Sequence, residues 1–560
     1  MCGIWLYMQK KGFKQESNTL NEGQLYNAFM NLVPRGPERS HFVKLSEYGV
    51  YIGFHRLSIM DPSPLGDQPF VLDTDTKTIY VICNGEIYNF KELIKEENLE
   101  NVVKSGSDCE VLSHLYNKLG IEEMCKKLIG EFAICVCEID KITKNVTLYL
   151  TRDHCGIRPM FITGNDNQLV ISSEIKGSPF LGVGYEIEQF KPRNYMVISN
   201  TDDKLYDMNK YTEYVSFDNI PISIYDVDEA KQKIRECLTE AVKCRLVSDR
   251  PLGCLLSGGL DSSLVASIAS KILKKQRKQL YTFCVGMENS TDEKYAKLAS
   301  EYINSIHTHY DEHDEQSWIN DIPDIVKVTE TFDITTIRAS TGQYKVAKKI
   351  SQNTDIKVLL IGDGSDELCA GYMYFHNAPS PQEGHLENIR LINNIHLYDV
   401  LRADRGVSSN GLEARVPFLD IRFIKLWLSI DPALRMPING VEKWLLRESF
   451  RGDYLCDEVL FRTKEAFSDG VSSLKRSWYK ILQESIEKSI TDEEFRKCQN
   501  MYKHCPPVSK ESLYFRKLFD DNFGMYVTTS KVIPDFWLPK WVGNIKEPSA
   551  RVLNVYTPNK

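Results

Sequence analysis

No stretch of the 560-residue sequence approaches the roughly 20 consecutive apolar residues that a membrane span needs, which argues against a membrane protein. Basic charge is in short supply too. Lys and Arg number 69 against 77 Asp and Glu, a formal net charge of −8, so the chain lacks the electrostatic footprint of a protein that wraps nucleic acid. Its 15 cysteines lack the paired spacing of a zinc site. Cys135 and Cys137 come closest, and the alternation Ala133-Ile-Cys-Val-Cys137 reads as strand packing. Reduced thiols and the absence of a basic-then-apolar leader give the cytosol as the expected location. Internal repeats and low-complexity tracts are missing as well.

What is present is ordinary globular composition, 42% hydrophobic and 26% charged, in a chain too long for one core, so two to four domains are expected. Short apolar runs broken by turns at 51–54, 79–83, 132–138, 146–150 and 169–172 predict strands, and 20–32 and 108–119 carry apolar residues at helical spacing. This mixture is an α+β layered domain, placed at 2–205. A polar, aspartate-rich stretch follows, read as a linker over 206–228. Beyond it the runs 252–256, 281–285 and 357–361 alternate with amphipathic helical segments, the pattern of an α/β domain with a parallel sheet, placed at 229–541. Residues 542–560 are read as a C-terminal tail.

Cys2 follows the start methionine and is small enough for that methionine to be removed. The free α-amine, with an unperturbed pKa of about 7.7–8.0, then accepts the thiol proton, giving nucleophile and base in one residue without a separate histidine. A second-position cysteine alone is otherwise incidental. In Tyr80-Val-Ile-Cys-Asn84-Gly85-Glu86 the Asn-Gly pair reads on its own as a hairpin turn; the functional alternative aims the Asn84 amide and Gly85 N–H at a developing oxyanion. Arg56, leading into Leu57-Ser58-Ile59-Met60, offers a bidentate fork for a carboxylate. Asp108, after Ser105-Gly106-Ser107, offers an anion for an ammonium, or else an N-cap for the helix that follows. Together they match the two charged ends of glutamine.

Met1-Cys2-Gly3-Ile4, Arg35-Gly36-Pro37, His55-Arg56-Leu57-Ser58, Asn84-Gly85-Glu86 and Gly106-Ser107-Asp108 resemble a class II glutamine amidotransferase domain. The resemblance implies the N-terminal-nucleophile αββα fold, Cys2 as nucleophile, and Asn84 and Gly85 as oxyanion hole. It also implies that Arg56, Leu57, Ser58, Ile59, Met60, Asn84, Gly85, Glu86 and Asp108 bind glutamine. This domain identifies an ammonia source and leaves the acceptor open.

The second half carries Leu255-Leu256-Ser257-Gly258-Gly259-Leu260-Asp261-Ser262-Ser263, where a buried strand turns through glycines into a helix whose N-terminal N–H groups and hydroxyls face one point. With no lysine it is not the G-x-x-x-x-G-K-[ST] loop. It resembles the pyrophosphate loop of ATP pyrophosphatases, which implies an adenine nucleotide α-hydrolase-like domain. In an open parallel sheet ligands sit beyond the carboxyl ends of the strands. Val285, Ile361 and Gly362 stand at two further ends, where adenine can lie against backbone. Asp363, Asp366 and Glu367 cluster there, and with ATP such acids call for Mg²⁺, assigned to Asp261 and Asp366.

Asp333-Ile-Thr335-Thr336-Ile-Arg338, Gly411-Leu-Glu-Ala-Arg415-Val-Pro-Phe-Leu-Asp420 and Lys464-Glu-Ala-Phe-Ser-Asp-Gly470 are similar to segments of the asparagine synthetase family, and the resemblance covers nearly the whole chain. It implies that aspartate attacks the α-phosphorus of ATP to give β-aspartyl-AMP, which ammonia opens to asparagine. Lys464 then offsets charge on the phosphates. Thr335, Thr336 and Arg338 contact pyrophosphate or aspartate, and Leu256, Ser257, Gly258, Gly259, Asp261, Ser262, Val285, Ile361 and Gly362 hold ATP. Dimers are common in the family, which makes a homodimer one expected assembly, although no stretch of the sequence marks an interface. Two positions depart from the family's Ser-Gly-Glu-Gly-Ser-Asp-Glu: Ile361 loses a hydroxyl, and Asp363, expected to be catalytic, is one methylene short of the glutamate.

Overall fold

The computed structural model describes residues 1–13, 20–182, 184–525, 529, 531–543, 547 and 549. They divide into two compact units, one of residues 1–216 with 408–412 and 520–532, the other of 217–407, 413–519 and the residues from 533 on. Most of the tail expected from 542 lies outside the described residues.

In the first unit twelve strands make two antiparallel sheets. They are β1 (Gly3–Gln9), β2 (Arg39–Leu45), β3 (Val50–Arg56), β4 (Phe70–Asp73), β5 (Lys77–Ile87), β6 (Gly130–Asp140), β7 (Val146–Arg152), β8 (Phe161–Gly164), β9 (Gln168–Ser172), β10 (Glu186–Gln189), β11 (Asn194–Ser199) and β12 (Thr212–Glu213). The sheet orders are β10-β8-β9-β1-β3-β2 and β12-β11-β7-β6-β5-β4. Alternation along the strands sets the layers. Ile4, Leu6 and Met8 of β1 meet Ala133, Cys135 and Cys137 of β6 in a core between the sheets, which is where the two closely spaced cysteines belong. The opposite phase of β1, Trp5 and Tyr7, packs on Leu25 and Phe29 of α1 (Glu22–Met30). Ile134 and Val136 of β6 join Phe90 and Leu93 of α2 (Phe90–Glu96) and Leu112 and Leu115 of α3 (Val111–Lys127). The result is the αββα sandwich. At about 1.5–3 kcal/mol for each fully buried aliphatic or aromatic side chain, these three apolar layers supply its cohesion.

The hairpin reading of Asn84-Gly85 fails. β5 runs unbroken through both residues, with Asn84 opposite Ala133 and Gly85 opposite Phe132, because the apolar pattern resumes at Ile87 and β6 offers a full-length partner. Glycine is required for a different reason: a Cβ at residue 85 would lie 2.0 Å from the Glu131 carbonyl oxygen. The first expected helix is trimmed to Glu22–Met30 by a capping box of Asn21 and Gln24. The second begins at Val111 and runs past a break at Gly120, φ 77°, to Lys127.

The second unit holds β13 (Leu252–Leu255), β14 (Tyr281–Gly286), β15 (Ile306–Asp311), β16 (Val358–Leu360) and β17 (Glu413–Arg415), all parallel in the order β15-β14-β13-β16-β17. The helices α4 (Val227–Cys244), α5 (Leu260–Lys275) and α6 (Thr291–Ile303) accompany it. The three central strands are the three apolar runs of the sequence. The edges are not, since β15 is polar and β17 is three residues of Glu-Ala-Arg. Among the described residues no helix is long and apolar enough to cross a membrane.

Candidate active sites

In the first unit Cys2 stands at the entrance to β1, half-buried, with Sγ 3.7 Å from the Leu57 carbonyl. Arg35 fixes its backbone: Nε donates to the Cys2 carbonyl at 2.8 Å while Nη1 pairs with buried Glu174 at 2.7 Å. Gly36 lets this arm close, because a Cβ there would meet the His55 carbonyl oxygen at 2.3 Å. His55 is structural. Its ring stacks on Phe29 at 3.9 Å, Nε2 donates to the Phe29 carbonyl at 2.9 Å, and Ser40 Oγ sits 2.7 Å from Nδ1. Burial pushes its pKa down to about 4, so the imidazole is neutral. In the sequence as it stands the Cys2 nitrogen is in the Met1–Cys2 amide, so a free α-amine requires loss of Met1.

Asn84 is fully buried, and neither its amide nitrogen nor its carbonyl oxygen has a hydrogen-bond partner. Buried amides are normally satisfied, so this pair of orphaned atoms is an exception in the fold. Ile82, two residues earlier, belongs to the same core against which Cys2 packs. Leu57, Ser58, Ile59 and Glu86 are buried, with Met60 half-buried at the edge of the run. Asp108 does not cap α3, whose N-cap is Glu110. Its Oδ2 accepts from Ile87 N at 2.6 Å instead, which ties it to the end of β5.

Arg56 departs from expectation. Its guanidinium is buried and already engaged, with Asp67, the Ser63 carbonyl at 2.8 Å, the Met60 carbonyl at 3.1 Å and the Asp61 carbonyl. It braces the 60–67 loop through three of its carbonyls and the Asp67 carboxylate.

In the second unit the strand ends enclose a cavity of about 170 Å³. Leu256, Ser257, Gly259, Asp261, Ser262, Val285, Thr335, Ile361, Gly362, Asp363, Asp366 and Lys464 all line it. Gly258 turns the loop from behind, with φ 71° and room for no Cβ, which would fall 2.3 Å from Ala296 N. Ser257 and Ser262 hydroxyls are 3.0 Å apart across the loop. Gly362 lets the third strand end approach it, since a Cβ would lie 2.6 Å from Ser262 N.

Asp261 and Asp366 share one cation in the chain itself. Lys443 Nζ lies 2.7 Å from both oxygens of Asp261 and 2.6 Å from Asp366, and Lys464 also pairs with Asp366. Burial opposes ionisation of Asp366, yet the two ammonium groups outweigh it and hold its carboxyl below the usual range. Asp363 pairs with Arg402, which also reaches Asp399 at 3.2 Å; burial nonetheless raises the Asp363 pKa. Glu367 is pushed well above the usual carboxylate range by burial and by the neighbouring Asp399 and Asp366.

Two expected pyrophosphate contacts are not on the cavity wall. Asp333 caps the helix Ile334–Asn353, and its Oδ2 accepts from the Thr336 N–H at 2.8 Å and the Thr336 hydroxyl at 2.7 Å. Arg338, one turn along that helix, is bound bidentately by Glu511 at 2.7 and 2.6 Å and also by Glu547. Its charge is consumed by two acids distant in sequence, which motif reading had no means of supplying. Thr335 does face the cavity, with Oγ1 buried and unpartnered. Lys443, Arg402 and Arg462 were missed, the last pairing with Asp292 at 2.9 Å on the same wall. Arg402 lies in the helix Asp399–Ser408, Lys443 at the turn before Trp444 and Arg462 in irregular backbone, and none stands in a motif that tells it from a surface lysine or arginine.

A family model described as a glutamine amidotransferase domain matches residues 1–213, and one described as asparagine synthase matches 233–391 and 380–524. The chain thus joins an amidotransferase domain to an ATP-dependent synthase domain. It belongs to the asparagine synthase family, with the glutamine-hydrolysing synthetases as its full-length relatives. Asparagine synthetase [glutamine-hydrolyzing] of Gallus gallus is 39% identical over 99% of both chains, and that of Homo sapiens 38% over 99% of both. A probable asparagine synthetase of Acanthamoeba polyphaga mimivirus is 39% identical over 99% of this chain and all of its own.

Proposed function

We propose that the chain hydrolyses glutamine in its first unit and, in its second, activates aspartate with ATP and converts it to asparagine. The Cys2 thiolate attacks the glutamine amide carbonyl, its proton passing to the α-amine left by removal of Met1. Asn84 receives the charge that develops on the carbonyl oxygen, where a buried donor with no competing partner is worth most. Arg35 keeps the nucleophile's backbone in place. Asp108 and Glu86 take the ammonium end of glutamine, and Arg56 takes its carboxylate by exchanging a loop carbonyl.

In the second unit the carboxylate of aspartate attacks the α-phosphorus and pyrophosphate leaves; ammonia then displaces AMP. Lys464 and Lys443 supply positive charge beside the phosphates. Asp261 and Asp366 would hold Mg²⁺, since two carboxylates brought together from two helix first turns are the hard oxygen donors that ion takes. When bound, it neutralises phosphate charge. The observation that carries the reading is the strand-end cavity in which the Ser-Gly-Gly loop, Asp261, Asp366 and Lys464 converge.

The test is aspartate-dependent pyrophosphate release from Mg·ATP with glutamine or ammonium as donor, in wild type and Cys2→Ala. The expected result is that the variant loses the glutamine-driven reaction and keeps the ammonium-driven one. No pyrophosphate with aspartate under either donor would sink the acceptor assignment.

A further inference from the structure

The edge strand β15 reads Ile306-His307-Thr308-His309-Tyr310-Asp311 and runs on into Glu312-His313. A period of two puts residues 307, 309 and 311 on one face, and 313 continues the phase. The family reading uses none of them. Asp311 Oδ1 lies 3.3 Å from His309 Nε2 and 3.7 Å from His313 Nε2. Glu293, in the first turn of α6, comes in from the neighbouring connection, and the ligand atoms of Glu293, His309 and Asp311 all fall within 4.8 Å of one another.

Two features of this cluster point to an ion. Two carboxylates are held close to one imidazole, and among the described residues no Lys or Arg pairs with either. Both ring nitrogens of His309 are shielded from water and make no hydrogen bond, the Asp311 oxygen being near but not aligned. Buried imidazole nitrogens normally find a partner. Gly286 of β14, the register partner of Asp311, lets Ser290 and the His309 ring pack close to the sheet, since a Cβ there would press to 2.3 Å from Ser290 Oγ and 3.4 Å from His309 Cε1.

We propose that Glu293, His309 and Asp311, with His313 as a fourth donor, bind one divalent transition-metal ion of the zinc class. Imidazole nitrogen with carboxylate oxygen suits Zn²⁺, Co²⁺ or Ni²⁺, whereas Mg²⁺ and Ca²⁺ favour oxygen alone. The ion would tie the edge strand to the start of α6. Asp292, the residue before Glu293, lines the nucleotide cavity, so the tie steadies that wall.

The experiment is titration of the metal-stripped full chain with Co²⁺, followed by its visible ligand-field absorption and by displacement with Zn²⁺. One Co²⁺ should bind per chain with a dissociation constant on the order of 10 µM or tighter. No thiolate-to-metal charge-transfer band should accompany it, which separates this site from the cysteines. His309→Ala and Asp311→Asn should each weaken binding by at least about tenfold with an unchanged circular dichroism spectrum. Asp311 is largely exposed, so its variant carries the test if His309→Ala misfolds. No uptake by the wild type, uptake through thiolate, or uptake that both variants leave intact would each overturn the proposal.

Discussion

Lys443 places its ammonium within 2.7 Å of Asp261 and 2.6 Å of Asp366, so that one buried lysine joins the acid of the α5 first turn to the acid that follows β16. Its side chain is 1% exposed. Removing one member of a buried ionic group strands the others, at a cost of about 3–5 kcal/mol. Lys443→Met should therefore destabilise the protein by that amount in urea unfolding. Adding Asp366→Asn should restore part of the loss, with a coupling of at least about 1 kcal/mol in the double-mutant cycle. Strictly additive effects would mean that the bridge does not form in solution.

Asn84 makes the opposite prediction, of function lost without stability. Its amide has no partner to lose, so Asn84→Ala should leave the melting temperature within about a degree or two of wild type. Loss of an oxyanion donor should lower kcat for glutamine hydrolysis by about 10²–10³. Pyrophosphate release driven by ammonium should be unaffected. Steady-state rates with the two nitrogen donors decide it, and an equal fall in both would remove Asn84 from the glutaminase reaction.

The sequence was most legible where one local pattern carried the whole meaning. The apolar runs at 79–83 and 132–138 fall within β5 and β6, and the loop before α5 follows an apolar run ending in Ser-Gly-Gly, while the αββα arrangement came with the family resemblance and β1 went unread. It was least legible where a side chain's role depends on a partner far along the chain. The resemblance makes Arg338 a pyrophosphate or aspartate contact, and only the fold shows that Glu511, 173 residues on, pairs with it. Lys443 stands in no motif, and its partner Asp261 lies 182 residues back. Asn84-Gly85 misled differently: the dipeptide is a strong turn signal, and the pairing of β5 with β6 over its full length overrode it.

Arg338 separates a structural role from a ligand role. Arg338→Met strands Glu511, which is 1% exposed, and should destabilise the protein by about 3–5 kcal/mol. Above the unfolding threshold KM for ATP should stay within about twofold of wild type, because the guanidinium is spent on carboxylates. A KM for ATP raised by tenfold or more in folded protein would return Arg338 to the list of pyrophosphate contacts.

Asp292 gives a pH dependence whose sign can be worked out. Burial raises its pKa from the ordinary 3.8 to about 6 despite the adjacent Arg462 guanidinium, with Glu465 pushing the same way and Lys464 opposing. The fold thus holds the Asp292 proton more tightly than the unfolded chain does. Its contribution is complete below the ordinary carboxylate range and is lost as pH climbs through about 6. A shift of about two units corresponds to roughly 3 kcal/mol. Asp292→Asn cannot ionise and lacks that slope. The stability of the wild type relative to the variant should therefore fall by up to about 3 kcal/mol between about pH 4 and pH 7, as read from thermal unfolding across the range. Parallel curves for the two proteins would mean that Asp292 is already ionised at the acid end, held there by Arg462 against its burial.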